Sequence, residues 1–153
     1  MSTNQFIPDD FEIPALFETA QFRLRMLSVD DVEKDYDAVI ESRKLLHAMF
    51  GGPWPREGFT IEENLIDLDR HHREFLERKA FAYTVVSLDE SKVLGCIYIK
   101  PSPPELINTN ATVYMWVRQS EYDKGLDETL FLTVKQWIRR VWPFKKVAYP
   151  GRE

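Results

Sequence analysis

The residues best suited to chemistry lie between Ala111 and Val141, where an apolar segment, a polar loop and an amphipathic segment follow one another. The segment reads ATVYMWVRQS, EYDKGLDETL and FLTVKQWIRRV, and its loop contains a single glycine, Gly125. A strand that enters a helix through a glycine turn points several unpaired backbone N–H groups at one place. Such a turn suits an anion, most often a phosphate or pyrophosphate. We therefore expect an anion-binding turn at the start of the helix that follows Gly125.

The elements that position this turn follow from hydrophobic periodicity. Apolar residues alternate with Arg23 and Arg25 in the first strand, and they recur at helical spacing behind the N-cap residues Ser28 and Thr60. The predicted elements are a strand at 22–27, a helix from 28, a short helix at 43–50, a long helix from 60 to about 78, strands at 80–87, 92–100 and 111–118, a helix at 125–141 and a strand at 145–149. This order predicts a single α/β (α+β) domain with a mixed sheet and helices on both faces.

Residues 1–21 are rich in proline, phenylalanine and acidic residues, which predicts a surface arm ahead of a domain at 22–153. The apolar side chains of the arm are expected to dock on the domain in places. These side chains are Phe6, Phe11, Leu16 and Phe17.

Composition excludes several classes of function. The chain has 153 residues, 44% of them hydrophobic, and a net charge of −5 without a long block of Lys or Arg. Nucleic acid is therefore not an expected partner. The polar, acidic start MSTNQFIPDD does not resemble a signal peptide, and no apolar run approaches the length of a membrane span. We expect a soluble cytoplasmic protein with no membrane partner.

Neither the cysteine nor the histidines predict a reactive or metal-binding site. Cys96 lies in the apolar segment VLGCIYI and is expected to be a small core residue. His71 and His72 are adjacent on a predicted helix, where neighbouring side chains point in different directions. Their spacing from Asp67 and Glu74 is not a recognised ligand pattern. No metal is expected.

Two phrases of the sequence resemble motifs of the GNAT acetyltransferase superfamily, and the order of elements is similar as well. The segment FAYTVVSLDESKVLGCIYIKP resembles the family's second and third strands, with a V-x-G at 93–95, and VRQSEYDKGLDETLFLTVKQWI resembles its acetyl-CoA motif, Q/R-x-x-G-x-G/A. The resemblance covers the chain from about residue 22 to its end. It implies a mostly antiparallel central sheet, with acetyl-CoA as the co-substrate.

Carried over to this chain, the resemblance places the cofactor on the strand end and the loop. The implied cofactor-binding residues are Val117, Asp123, Lys124, Gly125 and Leu126. Gly125 matches the first glycine of the motif, whereas Tyr122 replaces the Gln/Arg and Asp127 replaces the final Gly/Ala. Asp127 competes with a pyrophosphate, because two unit charges about 5 Å apart repel by roughly 3 kcal/mol at an effective dielectric constant near 20.

Acyl transfer to an amine also requires a proton acceptor and an acceptor pocket. Tyr114 and Tyr149 are the candidate catalytic residues, and each also has a plain interpretation as a core aromatic with a satisfied hydroxyl. Glu105 in the proline-rich loop is a further candidate base or a solvated charge. In the resembling fold the loop GGPWPREG lies near the acceptor site. Phe50, Trp54 and Arg56 therefore become candidate substrate-binding residues, with simple packing of Trp54 as the alternative.

Two functions remain open at this point. The first is acyl-CoA-dependent transfer of an acetyl group to a small-molecule or peptide amine. The second is a non-catalytic GNAT-shaped binding or dimeric interaction module that has lost the use of the cofactor. Family members usually add a helix and two strands after the strand at 145–149, and here the sequence ends at Glu153. Either the sequence is shortened, or a partner or a crossed-over segment fills this place; a bare strand edge here would favour a homodimer.

Overall fold

The computed structural model describes residues 6–152, which form one six-stranded sheet with the strands in chain order. Neighbouring strands are antiparallel except β5 and β6, which are parallel. The strands are β1 (Leu16–Glu18), β2 (Arg23–Met26), β3 (Phe81–Val86), β4 (Val93–Pro101), β5 (Ala111–Val117) and β6 (Val147–Ala148). The predicted mixed, mostly antiparallel sheet is thus confirmed.

Five α-helices connect these strands within the described residues. They are α1 (Val32–Glu41), α2 (Arg43–Phe50), α3 (Ile61–Leu76), α4 (Gln119–Tyr122) and α5 (Leu126–Val141), and a short 3-10 helix at Val29–Asp31 precedes α1. Helix α3 starts as the sequence predicts, because Thr60 and Glu63 form a capping box. None of these helices has the length and apolarity needed to cross a bilayer.

The sheet separates two apolar clusters, so the helices on both faces are confirmed. One cluster contains Leu130, Val134 and Trp137 of α5, and the other contains residues of α1, α2 and α3. Every residue of β3 is buried, because both of its faces are covered.

Periodicity alone predicts neither β1 nor α4. β1 lies inside the predicted arm and pairs with β2, and its burial alternates without a fully buried residue. Phe6, Phe11 and Phe17 pack against the core, whereas Leu16 is 54% exposed. The last strand is shorter than predicted, at two residues instead of five.

The helical spacing of apolar residues predicts that one face of α3 is buried, namely Ile61, Leu65, Leu68, Phe75 and Leu76, and this prediction is partly wrong. Leu68 and Phe75 are buried as expected, but Leu65 and Leu76 are 42% and 64% exposed. Asn64 is buried in their place, at 1% exposure. A polar residue therefore takes an inward position of α3, where it lines a cavity and donates a hydrogen bond to Asp35.

Candidate active site

The glycine turn before α5 has the conformation that the sequence predicts. Gly125 has φ 90° and ψ 10°, a left-handed conformation that favours glycine. A side chain at Gly125 would meet no atom within 4 Å, so the space beside this residue is open. Among residues 6–152, no side chain caps the N-terminus of α5. The first N–H groups of this helix therefore have no side-chain acceptor among the described residues, and the helix dipole favours a negative charge near them.

Residues 118–120, at the start of the loop after β5, are bound to the C-terminal part of α1 and to Ser42 that follows it. Arg118 follows β5, is 3% exposed, and forms ion pairs with Asp37 and Glu41 at 3.0 Å each. The backbone N–H groups of the next two residues donate to the side chains of Ser42, at 2.9 Å, and Glu41, at 2.8 Å. These amides are already used, so the part of the turn that suits an anion is confined to the start of α5.

Gly95 allows β4 to lie against the end of β5. A Cβ at this position would come within 2.0 Å of the backbone oxygen of Trp116 and within 2.9 Å of the Cα of Val117. Any larger residue would push the strand end away. The glycine of the V-x-G segment thus has a steric role in positioning the strand that leads into the turn.

Arg152, which follows β6, lies across the gap between the ends of β5 and β6. Its guanidinium forms a bidentate ion pair with Asp127 of α5, at 2.8 and 2.9 Å, and donates to the backbone oxygen of Met115 at 3.1 Å. β6 pairs with β5 at Ala111 and Thr112, before Met115 is reached. Arg152 therefore neutralises Asp127 and uses one backbone acceptor on the edge of β5.

A cavity of about 680 Å³ lies on the face of the sheet that α1, α2 and α3 cover. Thr112 and Tyr114 of β5 line it, as do residues of β4 and all three helices. Pockets for small molecules usually have volumes of about 300 to 1,000 Å³. The cavity is therefore large enough for a small organic ligand, and β5 connects it to the turn.

The floor of the cavity is acidic. Asp35 of α1 is 4% exposed and accepts a hydrogen bond from the Asn64 side-chain amide at 3.0 Å. Burial raises the pKa of the Asp35 carboxyl to about 6, although the bond from Asn64 acts in the opposite direction. Burial also raises the pKa of Asp67, which lines the same cavity, and nearby Arg70 counteracts this rise.

Aromatic side chains also line the cavity. The Lys100 ammonium lies 5.8 Å from the ring centre of Tyr98 and 5.6 Å from that of Tyr114. The His71 ring is 5.1 Å from the Tyr98 ring, centre to centre. Burial, together with Arg70 and Lys100, lowers the pKa of His71 to about 4, so its imidazole is neutral at neutral pH.

The predicted substrate-binding residues and the candidate catalytic residue Tyr114 do not all lie in one place. Phe50, Trp54 and Tyr114 all line the cavity, and the Phe50 and Tyr114 rings are 6.5 Å apart. Arg56 lies outside it, in a neighbouring depression, where it pairs with Glu63. The structure thus brings three of these residues together.

The predicted cofactor residues cluster around the turn, but Tyr149 does not face the cavity. Val117 is fully buried, and Lys124 is 71% exposed beside Glu121 at 3.7 Å. Tyr149 is 4% exposed and packs edge-on against Phe131 in the α5 cluster.

Sequence reasoning missed three residues of this region, which are Asp35, Asn64 and Arg152. The first two had a readable signal, because each occupies an inward position of an amphipathic helix among apolar residues. Arg152 had none, since its contact with Asp127 depends on how the chain folds back after β6.

The arrangement resembles solved acetyltransferases. A microcin C7 self-immunity acetyltransferase in complex with acetyl-CoA and AMP superposes with a TM-score of 0.71 at 13% identity, over 90% of this chain and 73% of that one. The ribosomal-protein-S5-alanine acetyltransferase of Vibrio fischeri superposes with a TM-score of 0.60 at 18% identity, over 92% and 77% of the two chains. This chain has the GNAT fold. A third GNAT-like structure, a ribosomal L7/L12 α-N-protein acetyltransferase in complex with coenzyme A, has a TM-score of 0.61 at 18% identity, over 84% and 68% of the chains.

Sequence identities of 13 to 18% to these structures show the fold of the chain and do not show its function. No protein-family model and no curated protein sequence matches this GNAT-fold chain. Within residues 6–152, no group of three or more His, Cys, Asp or Glu side chains could hold a metal ion. The function must therefore be argued from the site itself.

Proposed function

We propose that this GNAT-fold protein is an acyl-CoA-dependent N-acyltransferase that transfers an acetyl group from acetyl-CoA to an amine. One observation carries the proposal: β5 borders a small-molecule cavity with its side chains and leads, through α4, to the N-terminus of α5, which no side chain of residues 6–152 caps. Two of the similar structures are complexes with acetyl-CoA or coenzyme A, which supports this choice of co-substrate.

The residues around the turn fit a pyrophosphate in part. The start of α5 offers N–H groups and a favourable dipole, and the open space beside Gly125 permits close approach. Lys124 is a nearby exposed cation that can pair with a phosphate. Asp123 and Leu126 flank this turn, and the backbone of Val117 continues it into β5. When bound, acetyl-CoA supplies an activated thioester at this strand.

On the cavity side, the amine acceptor needs orientation and a group that accepts its proton. Tyr114 is the candidate proton acceptor that lines the cavity, while Phe50 and Trp54 would position the body of the acceptor. Tyr149 keeps its predicted catalytic role only if the packing around Phe131 opens, since it is 4% exposed. Replacement Tyr114→Phe removes the hydroxyl alone and should lower kcat by about 100-fold if this group handles the proton.

The first test is calorimetric titration of the protein with acetyl-CoA, alongside Lys124→Ala. Lys79→Ala is a matched control, because both lysine side chains are 71% exposed and each lies beside one glutamate. Micromolar binding that Lys124→Ala weakens and Lys79→Ala leaves unchanged would support the proposal. Absence of binding up to millimolar acetyl-CoA, in protein with a cooperative unfolding transition, would refute it.

The second candidate is a non-catalytic binding or dimeric module. The contact of Arg152 with Asp127 and Met115 favours it, because this side chain occupies the strand edge next to the proposed cofactor turn. A homodimer in a cytoplasmic setting would fit such a module, and the two-residue edge strand β6 offers a place for it. Light scattering after size-exclusion chromatography tests the dimer independently of acetyl-CoA.

A further inference from the structure

The Asp35 carboxyl group is buried in the lining of the cavity. It is 4% exposed, and its Oδ2 accepts a hydrogen bond from the Asn64 amide at 3.0 Å. Among residues 6–152, no Lys, Arg or His nitrogen lies within 4.0 Å of this carboxylate, whereas Asp31, one turn earlier, is paired with Arg25 at 2.8 Å. A buried carboxylate is costly unless a cation or several donors compensate it. The cavity beside Asp35 is the place from which such a cation can come.

A second acidic group faces the same space. Asp67 also lines the cavity, and its nearest basic group, Arg70, is 3.9 Å away with a side chain that is 53% exposed. Asp35 and Asp67 thus create a negative potential on this part of the cavity lining, which Arg70 offsets in part. This potential favours a positively charged group on a ligand.

The open end carries the opposite charge. Arg70 and Lys100 line the cavity and are both exposed to solvent. The Lys100 ammonium rests on the rings of Tyr98 and Tyr114, so it is held at this end by cation–π contacts. His71 does not change this balance, because its lowered pKa keeps it neutral. The buried acid is thus Asp35, while Asp67 is half-buried beside Arg70 and both bases are exposed.

We infer that this cavity binds a small zwitterionic amine, with its ammonium group on Asp35 and Asp67 and its carboxylate or phosphate near Lys100 and Arg70. The lining carries two charges of each sign, so a ligand with one charge at either end complements it, whereas a diamine would meet repulsion at the open end. Aromatic walls from Trp54, Tyr98 and Tyr114 suit a short apolar spacer between the two charges. The inference rests on the proposed function in that this amine would be the acyl acceptor.

Binding of such amines can be measured without acetyl-CoA. The probes are glycine, 4-aminobutyrate and 6-aminohexanoate as zwitterions of increasing length, with 1,4-diaminobutane and butyrate as compounds of a single charge sign. We expect at least one zwitterion to bind with a Kd in the range of about 10 μM to 1 mM and more tightly than the single-sign compounds. Equal or tighter binding of butyrate or diaminobutane, or no binding of any zwitterion, would overturn the inference.

Single substitutions test whether the acidic and basic residues of the cavity contact the ligand. Asp35→Asn keeps the shape of the side chain and should weaken zwitterion binding by at least about tenfold, and Lys100→Ala should weaken it by about threefold. Asp69→Asn is the matched control, because Asp69 lies on the same helix as Asp67 but its side chain is 55% exposed and paired with Arg73. If Asp35→Asn does not unfold cooperatively, Asp67→Asn provides the second acidic variant, with a smaller expected loss. Unchanged affinity in the acidic variants, or an equal loss in Asp69→Asn, would contradict the assignment.

The two proposals fail separately. Zwitterion binding without acetyl-CoA binding would remove the acyltransferase and retain the ligand class. Acetyl-CoA binding without any zwitterion binding would retain the acyltransferase and exclude this class of acceptor.

Discussion

The two faces of the sheet are built from the same strands but differ in how their interiors are filled. Under α5, aromatic rings pack directly on one another: Trp137 lies 5.2 Å from Tyr83 and 5.8 Å from Trp142, ring centre to ring centre. Under α1, α2 and α3, a cavity of about 680 Å³ with an acidic floor remains open. The α5 face is closely packed with apolar side chains, whereas the other face also contains buried polar groups that do not add to stability.

This difference follows from residue choice on helices of equal length. Helices α3 and α5 both have 16 residues. The inward positions of α5 are all apolar, whereas α3 places Asn64 inward and α1 places Asp35 opposite it. Polar groups that reduce stability concentrate where a protein binds its ligands. This difference supports the placement of the proposed acceptor site on the open face.

The largest effect is expected on the closed face. Trp137→Ala removes a side chain that is 4% exposed and should lower the free energy of unfolding by about 3 to 5 kcal/mol, because it leaves a cavity among the aromatic rings. Urea denaturation measures this loss. Leu132→Ala, on the same helix but 57% exposed, is the control and should cost less than about 1 kcal/mol. A similar cost for both variants would remove the distinction between the faces.

The second prediction concerns the open face, where a substitution should raise the free energy of unfolding instead of lowering it. The Asp35 pKa rises from 3.8 in the unfolded chain to about 6 in the folded one, so the folded state holds the proton more tightly and loses relative stability as the pH rises from 4 through 6. Asp35→Asn should therefore stabilise the protein by up to about 3 kcal/mol at pH 8 and by little at pH 4. Thermal and urea unfolding at both values tests this. A variant less stable than the wild type at pH 8 would contradict the assignment of Asp35 as a destabilising group.

A smaller effect concerns the turn that β5 shares with both faces. Asp127→Ala removes a negative charge from the start of α5 and releases Arg152, so acetyl-CoA should bind about tenfold more tightly. Glu128→Ala removes a charge in the same helical turn but leaves the Arg152 contact intact. An equal change in both variants would mean that charge alone matters and that the Arg152 contact does not restrict the site.

The smallest effect is expected at the open end of the cavity. Lys100→Ala removes cation–π contacts at an exposed position and should change the free energy of unfolding by about 0.5 to 1 kcal/mol. Lys92→Ala, another exposed lysine at the start of the same strand region, is the control and should change it by less. A loss above about 2 kcal/mol would show that Lys100 is structural and does not serve mainly to receive a ligand.

Much of the fold could be predicted because its elements have strong local signals. The capping box at Thr60 and the glycine before α5 both mark helix starts, and both have the predicted conformation. Strand β1 was missed because it has three residues, which is too short for periodicity to register. The inner face of α3 was predicted wrongly at Leu65 and Leu76, which are exposed, because apolar residues also occur on protein surfaces.

The candidate site could be predicted only in part, because only some of its residues are close together in the sequence. Gly125 and Lys124 lie together in the sequence, and so the turn was recognisable. Asp35 acquires its importance from a contact with Asn64, which is 29 residues away, and Arg152 from a contact with Asp127, 25 residues away. Distances between such residues depend on how the helices pack on the sheet.

The sequence by itself determined the order of the longer strands and helices, the glycine turn before α5 and the GNAT resemblance, because these depend on local spacing and composition. Only the tertiary structure decided that Asp127 is neutralised by Arg152 and that two acids and two bases surround one cavity. Charge pairing and burial arise between residues distant in the chain, and they exist only once the helices have packed on the sheet.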